Sequence, residues 1–229
     1  MEEARTYEEL RVGFTAAVSH ELRTPLARLL ALLESASLPD ADSEALLAQA
    51  REQVKEMSEL VDDVLFLSEL ESGREVVALG STAALPVLED VRDRLADSAE
   101  RADIAIRIEA DPDVELPLRR RMLQIVAENL AENSIRYAGP GSTLTILARR
   151  GLLTAVDDGR GVEQDELPRL FERFYRSDRA RASRGTGLGL AIVKHVVTAA
   201  GGEVEATGAP GHGLTVQCRF SISAPSSAS

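Results

Sequence analysis

From Glu2 to Ser37 the chain is rich in Leu, Ala, Glu and Arg, with no glycine after Gly13. This pattern predicts one long helix, with Pro25 inside it as a kink because proline removes a backbone donor. The run Ser37-Leu38-Pro39-Asp40-Ala41-Asp42-Ser43 has turn chemistry, and Ser43 is placed to cap the next helix. That second helix is expected over Glu44–Glu71. Ala50, Val54, Met57, Val61 and Val64 recur on it at spacings of three and four, and Gly73 ends it. Two long amphipathic helices joined by a short loop bury both stripes poorly by themselves. Pairing with a second copy into a dimeric four-helix bundle buries them, so a homodimer is expected.

Beyond Gly73 the period changes. Short β-prone runs fall at Glu75–Leu79, Asp103–Glu109, Thr143–Ala148, Leu152–Val156, Glu203–Ala206 and Leu214–Phe220. Helical stretches at Leu85–Glu100, Arg119–Tyr137 and Leu188–Ala200 alternate with them. The expected fold class is thus α followed by α/β: a two-helix hairpin over residues 1–72, then an α/β sandwich over 73–223 with its helices on one face of a largely antiparallel sheet. Residues 224–229 are small and polar, and are expected to form a disordered tail.

Composition narrows the function classes. Of 229 residues, 44% are hydrophobic and 28% charged, enough for a packed core. A net charge of −12 and only 3% aromatics argue against nucleic acid and anionic lipid as partners. Cys218 is the only cysteine, which excludes an intramolecular disulfide and a cysteine-rich metal site. No apolar run approaches the roughly 20 residues needed to cross a bilayer. The N-terminal residues have no signal-peptide character. A cytoplasmic setting without membrane contact by this segment is expected.

On a helical wheel of about 100° per residue, Phe14, Val18, Leu22, Leu29 and Leu33 share one side and His20 falls almost opposite. Small residues surround His20: Gly13, Ala16, Ala17, Thr24, Ala27 and Ala31. An isolated exposed histidine is most often inert. Here the small neighbours leave room for another domain to approach the ring, and Glu21 can fix its tautomer and sharpen the other nitrogen as a nucleophile. Thr24, one turn on, is placed to hold a water near the same nitrogen.

Further along, Asn129, Asn133, Arg136 and Tyr137 gather on one side of the helix expected over Arg119–Tyr137, beside the apolar positions Met122, Val126 and Leu130. Half-buried amides need partners, which a neighbouring loop or a metal–phosphate group would equally supply. Val156-Asp157-Asp158-Gly159-Arg160-Gly161 follows an apolar strand, where a fixed carboxylate can accept an exocyclic amine and glycines allow close backbone approach. Arg176, Arg179, Arg181 and Arg184 concentrate cations in an otherwise acidic chain. Gly185-Thr186-Gly187-Leu188-Gly189 then opens a helix whose N-terminus is suited to an anion. This spacing is not that of a dinucleotide fingerprint, and no Walker lysine motif occurs. His195, His212 and Cys218 are expected to be packing or surface residues.

Ser19-His20-Glu21-Leu22-Arg23-Thr24-Pro25-Leu26 resembles the phosphoacceptor box of sensor histidine kinases, and the later segments resemble that family's asparagine box, first glycine box and lid, in order. Within the family the phosphate-sensing group is the most similar in flavour. The resemblance implies an ATP-binding domain of the gyrase, MutL and histidine kinase type. It also implies autophosphorylation on His20, then phosphotransfer to an aspartate on a response-regulator receiver domain, with regulator phosphatase activity besides. By that likeness Glu21 assists the kinase step and Thr24 the dephosphorylation. Asn133 ligates Mg²⁺, Asn129 contacts phosphates or a Mg²⁺-bound water, Arg136 steadies the triphosphate, and Tyr137 packs near the nucleoside. Asp157 reads adenine, with Gly159 and Gly161 in its turn. The lid hinges near Phe171 and Gly185, and Arg176 meets the γ-phosphate. Arg136 and Ser134 depart from the usual lysine and alanine, and Leu118-Arg119 from the usual Gly-Asp. A chain of this kind is expected to be the cytoplasmic part of a larger, membrane-anchored receptor.

Overall fold

The computed structural model describes residues 2–38, 42–72, 80–177 and 185–221. The expected strand at 75–79, the helix stop at Gly73, the arginines at 179, 181 and 184 and the tail at 224–229 lie outside the described residues. The chain divides into two compact units, Met1–Phe66 and Leu67–Ser229.

The first unit is a helical hairpin. Helix α1 spans Glu2–Ala36 and continues through Pro25, and α2 spans Ser43–Glu71. Ser43 is not the cap: it opens α2 and donates its hydroxyl to the Ala36 carbonyl at 3.0 Å, closing the turn, while Asp42 caps the helix by accepting from the Ala45 N–H at 3.1 Å. The apolar stripe of α2 is split in two. Ala50 and Leu60 are buried with Gln53, whereas Val54 and Val61, expected on the same stripe, are exposed together with Leu47 and Leu65. On α1 Val18, Leu22 and Leu29 are half-buried, but Leu26, Leu30 and Leu33 are exposed. A single hairpin offers each helix one neighbour, so one apolar line is covered and a second is not.

The second unit is built on a five-stranded sheet of β2 (Ala105–Ala110), β4 (Thr143–Arg149), β5 (Leu152–Asp157), β6 (Gly202–Gly208) and β7 (Leu214–Phe220). Its spatial order is β2-β4-β5-β7-β6. The β2–β4 pair is parallel and the rest are antiparallel. A parallel pair needs a crossover, here supplied by the helix between the two strands. A two-stranded ladder of β1 (Thr82–Ala83) and β3 (Glu115–Leu116) lies apart; strands this short carry no readable alternation.

Helices α3 (Ala84–Arg101), α4 (Arg120–Tyr137) and α5 (Gly189–Ala199) pack side by side, with α4 between the other two. Leu88, Met122, Val126, Leu130, Ile192 and Val196 meet the inward residues Leu144, Ile146, Leu153, Val216 and Cys218, all at most 3% exposed. Each large buried side chain contributes roughly 2 kcal/mol of transfer free energy. This core holds α4 rigidly, and α4 is what positions the site.

Candidate active site

His20 stands on the outward side of α1, its side chain 75% exposed, with the Glu21 carboxylate 3.5 Å from Nδ1. Thr24, Ala27 and Ala31 are exposed on the same helix, so the approach to the ring is open.

In the second unit the separate sequence motifs converge on α4. Asn129 donates from Nδ2 to the Ile125 carbonyl at 2.8 Å, which leaves Oδ1 turned toward Gly189. A Cβ at Gly189 would stand 2.7 Å from that oxygen, so only glycine fits beside it without a shift. One turn on, Asn133 is half-buried. Arg136 pairs with Glu132 at 3.1 Å, and a Cβ at Gly185 would lie 2.8 Å from the Tyr137 hydroxyl and 3.3 Å from Arg136. Gly159 packs on Ala138 at the end of the helix. Asn129, Arg136 and Tyr137 thus each meet the glycine turn that opens α5.

Asp157 is firmly held and only 5% exposed. Its Oδ1 accepts the Gly159 N–H at 3.0 Å and the Leu214 N–H at 3.2 Å, and its Oδ2 accepts the Ser134 hydroxyl at 3.1 Å. Burial pushes its carboxyl above the ordinary range, against the opposing pull of these three donors. Sequence reasoning missed the third segment at this carboxylate. The turn between β6 and β7 brings Gly213 (φ +72°) against the Asp157 backbone and delivers Leu214 to the side chain. Gly161 faces this turn, at Ala209 and Gly213, and not α4. The only available signal was the glycine spacing in Gly208-Ala-Pro-Gly-His-Gly213.

The lid foot is also more defined than the sequence indicated. The Phe174 N–H donates to the Gly187 carbonyl at 2.9 Å, tying the two ends of the segment together, with both residues at positive φ. Among the described residues this tie joins Phe174 and Gly187, three residues beyond the expected Phe171 hinge and two beyond the expected Gly185 hinge. Thr186 accepts the Leu188 N–H at 3.2 Å, and Leu188 is fully buried at the start of α5. Arg176 is half-buried at this foot. Beside it Arg173 pairs with Glu71, while burial lowers the pKa of His195, whose ring is hydrogen-bonded to the Leu70 backbone. Cys218 is buried, its thiol pushed up to about 12. An open cavity of about 450 Å³ lined by Gly139, Pro140, Ser142, Asp158, Gly159 and Arg160 adjoins the Asp157 turn but includes neither Asp157 nor Asn133.

Residues 10–73 match the His Kinase A (phospho-acceptor) domain, and residues 119–224 match the histidine kinase-, DNA gyrase B- and HSP90-like ATPase family. The chain belongs to the histidine kinase family. It is similar to the phosphate regulon sensor protein PhoR of Pseudomonas aeruginosa, at 37% identity over 93% of this chain and 50% of that protein. The phosphate-sensing flavour expected from the sequence agrees with this likeness. The chain spans about half the length of the curated relatives it matches. Among solved structures it resembles the Acinetobacter baumannii histidine kinase AdeS, with 26% identity, a TM-score of 0.73, and 90% and 98% of the two chains covered. It also resembles full-length ShkA in complex with AMPPNP, with 28% identity, a TM-score of 0.62, and 92% and 46% covered. Among the described residues no helix is long and apolar enough to cross a membrane.

Proposed function

We propose that this chain is the dimerising and catalytic portion of a sensor histidine kinase, which phosphorylates itself on His20 from ATP and passes the phosphoryl group to an aspartate of a response-regulator receiver domain. Residues 1–72 carry the acceptor hairpin and 73–223 bind the nucleotide. The observation that carries this reading is the outward imidazole of His20 with a carboxylate at Nδ1. Glu21 favours the proton on Nδ1, which leaves the Nε2 lone pair to attack the γ-phosphorus. The bond from the γ-phosphorus to the β–γ bridging oxygen breaks and ADP leaves. The imidazolium charge that develops is offset by Glu21. Thr24 is exposed one turn away, and in this reading it assists attack of water on the regulator's aspartyl phosphate, which releases inorganic phosphate.

On the nucleotide side, Asp157 accepts the adenine amine and Tyr137 packs near the nucleoside. Gly159 and Gly161 shape the turn below them. Asn129, Arg136 and Arg176, with the backbone of Gly185, Thr186, Gly187, Leu188 and Gly189, meet the phosphates. Asn133 offers one half-buried carboxamide oxygen, which fits Mg²⁺, an ion that takes few protein ligands and completes its shell with water and phosphate oxygens. When bound, that ion would supply charge neutralisation at the phosphates. The ATPase match and the AMPPNP complex of ShkA support the nucleotide assignment.

The exposed line of Leu26, Leu30, Leu47, Val54, Val61 and Leu65 supports a homodimeric four-helix bundle. The length of the curated relatives supports a larger protein, which in this reading is a membrane-anchored receptor with this portion facing the cytoplasm. The test is labelling with γ-phosphate-labelled ATP. His20→Gln is expected to abolish acid-labile label while ATP binding stays intact, and Asn133→Ala to lose Mg-dependent ATP use. Acid-labile label retained on His20→Gln would overturn the assignment.

A further inference from the structure

Asp157 and Ser134 lie 23 residues apart and meet in the core at 3.1 Å. Both are nearly inaccessible, at 5% and 4% exposure. A carboxylate offers about four acceptor positions, two on each oxygen. Oδ1 is filled by the N–H groups of Gly159 and Leu214. The Ser134 hydroxyl occupies one position on Oδ2, which leaves one. Because the serine proton is committed to the carboxylate, the Ser134–Asp157 pair itself presents acceptors and no free donor.

We infer that Ser134 is a positioning residue for base recognition: it holds Oδ2 of Asp157 as a pure acceptor, which selects a purine with an exocyclic amine over one with a carbonyl at the same place. The inference rests on Asp157 being the adenine reader and deepens it. Alanine at 134 leaves the helix intact and removes one buried donor. The carboxylate then loses a partner that stabilises its charged form, which burial and the neighbouring Asp158 carboxylate already disfavour. A protonated Asp157 is a donor; it meets the adenine amine poorly and a guanine carbonyl well. Adenine affinity is therefore present above the folded pKa of Asp157 and is lost as pH falls through it. Removing Ser134 moves that loss to higher pH.

The experiment titrates ATP and GTP into the full chain by calorimetry across an acidic to neutral pH series, for the parent, Ser134→Ala, Ser134→Cys and Asp157→Asn. Ser134→Ala is expected to weaken ATP about fivefold near neutrality, the scale of one hydrogen bond, to shift the acid limb upward and to narrow the ATP-to-GTP preference. The maximal autophosphorylation rate at saturating ATP stays within about twofold, since the γ-phosphate end is untouched. Ser134→Cys, close in shape with a weak donor, is expected to fall between. A purely structural serine would change thermal stability and leave the pH limb in place. An unmoved limb with parental ATP affinity in Ser134→Ala overturns the inference. If Asp157→Asn binds ATP like the parent, the adenine assignment itself fails; if it abolishes binding while Ser134→Ala is silent, only the role of Ser134 fails.

Discussion

Replacing Gly189 with alanine separates stability from nucleotide binding. An added Cβ would lie 2.7 Å from Oδ1 of Asn129, whereas a comfortable C···O contact is about 3.3 Å, so that oxygen must retreat by about 0.6 Å. The displaced carboxamide weakens its 2.8 Å bond to the Ile125 carbonyl, a loss of roughly 0.5–1.5 kcal/mol. Alanine in place of glycine in a helix returns roughly 0.5–1 kcal/mol. The two nearly cancel, so the melting temperature is expected to stay within about 4 °C of the parent. Asn129 meets the phosphates in the proposed site, and a shift approaching 1 Å costs up to about a hundredfold in rate. Autophosphorylation at fixed Mg·ATP is therefore expected to fall about ten- to a hundredfold. Gly201→Ala is the contrast. Nothing lies within 4 Å of its added Cβ, but its φ of +74° strains any side chain, so it is expected to lose about 1–2 kcal/mol of stability with the kinase rate unchanged. Thermal melts and initial rates of label incorporation on both variants check the pair. A Gly189→Ala protein that labels at the parental rate would refute the close approach of Asn129 to the glycine turn, and one that melts far lower would refute the near-cancellation of the two stability effects.

Two further outcomes are expected. Burial lowers the His195 pKa from 6.5, with the Leu70 carbonyl opposing and Arg173 adding to the effect. Below pH 6.5 the unfolded chain takes the proton first, so stability falls with pH in that window, and denaturant melts of His195→Gln are expected to show a shallower loss there. Leu30→Asp combined with Val61→Asp puts charge on the exposed line of the hairpin; light scattering after size exclusion is expected to show a monomer at micromolar concentration, and an undiminished dimer would remove that line from the interface.

Much of this protein was legible because its signals are local. Helix and strand periods gave the two long helices, the three helices of the second unit and its five main strands to within a few residues. The octet around His20 and the asparagines of α4 are separations of one to four residues, so helix geometry alone places them on a face. The Ser43 cap was misplaced because Ser and Asp compete for the same end of a helix, and only the closed turn shows which one reaches the N–H.

Sequence alone determined which residue types were available to an imidazole kinase and in what order they come, since those depend on short-range spacing. Only the tertiary structure decided what each touches. Ser134 and Leu214 reach Asp157 across 23 and 57 residues, and Glu71 meets Arg173 across 102. The split of the α2 stripe into a covered and an uncovered line was likewise decided by how the hairpin closes. Such contacts are set by sheet register and by how α4 packs between its neighbours. These depend on the burial of the whole core at once, and no short window of sequence contains them.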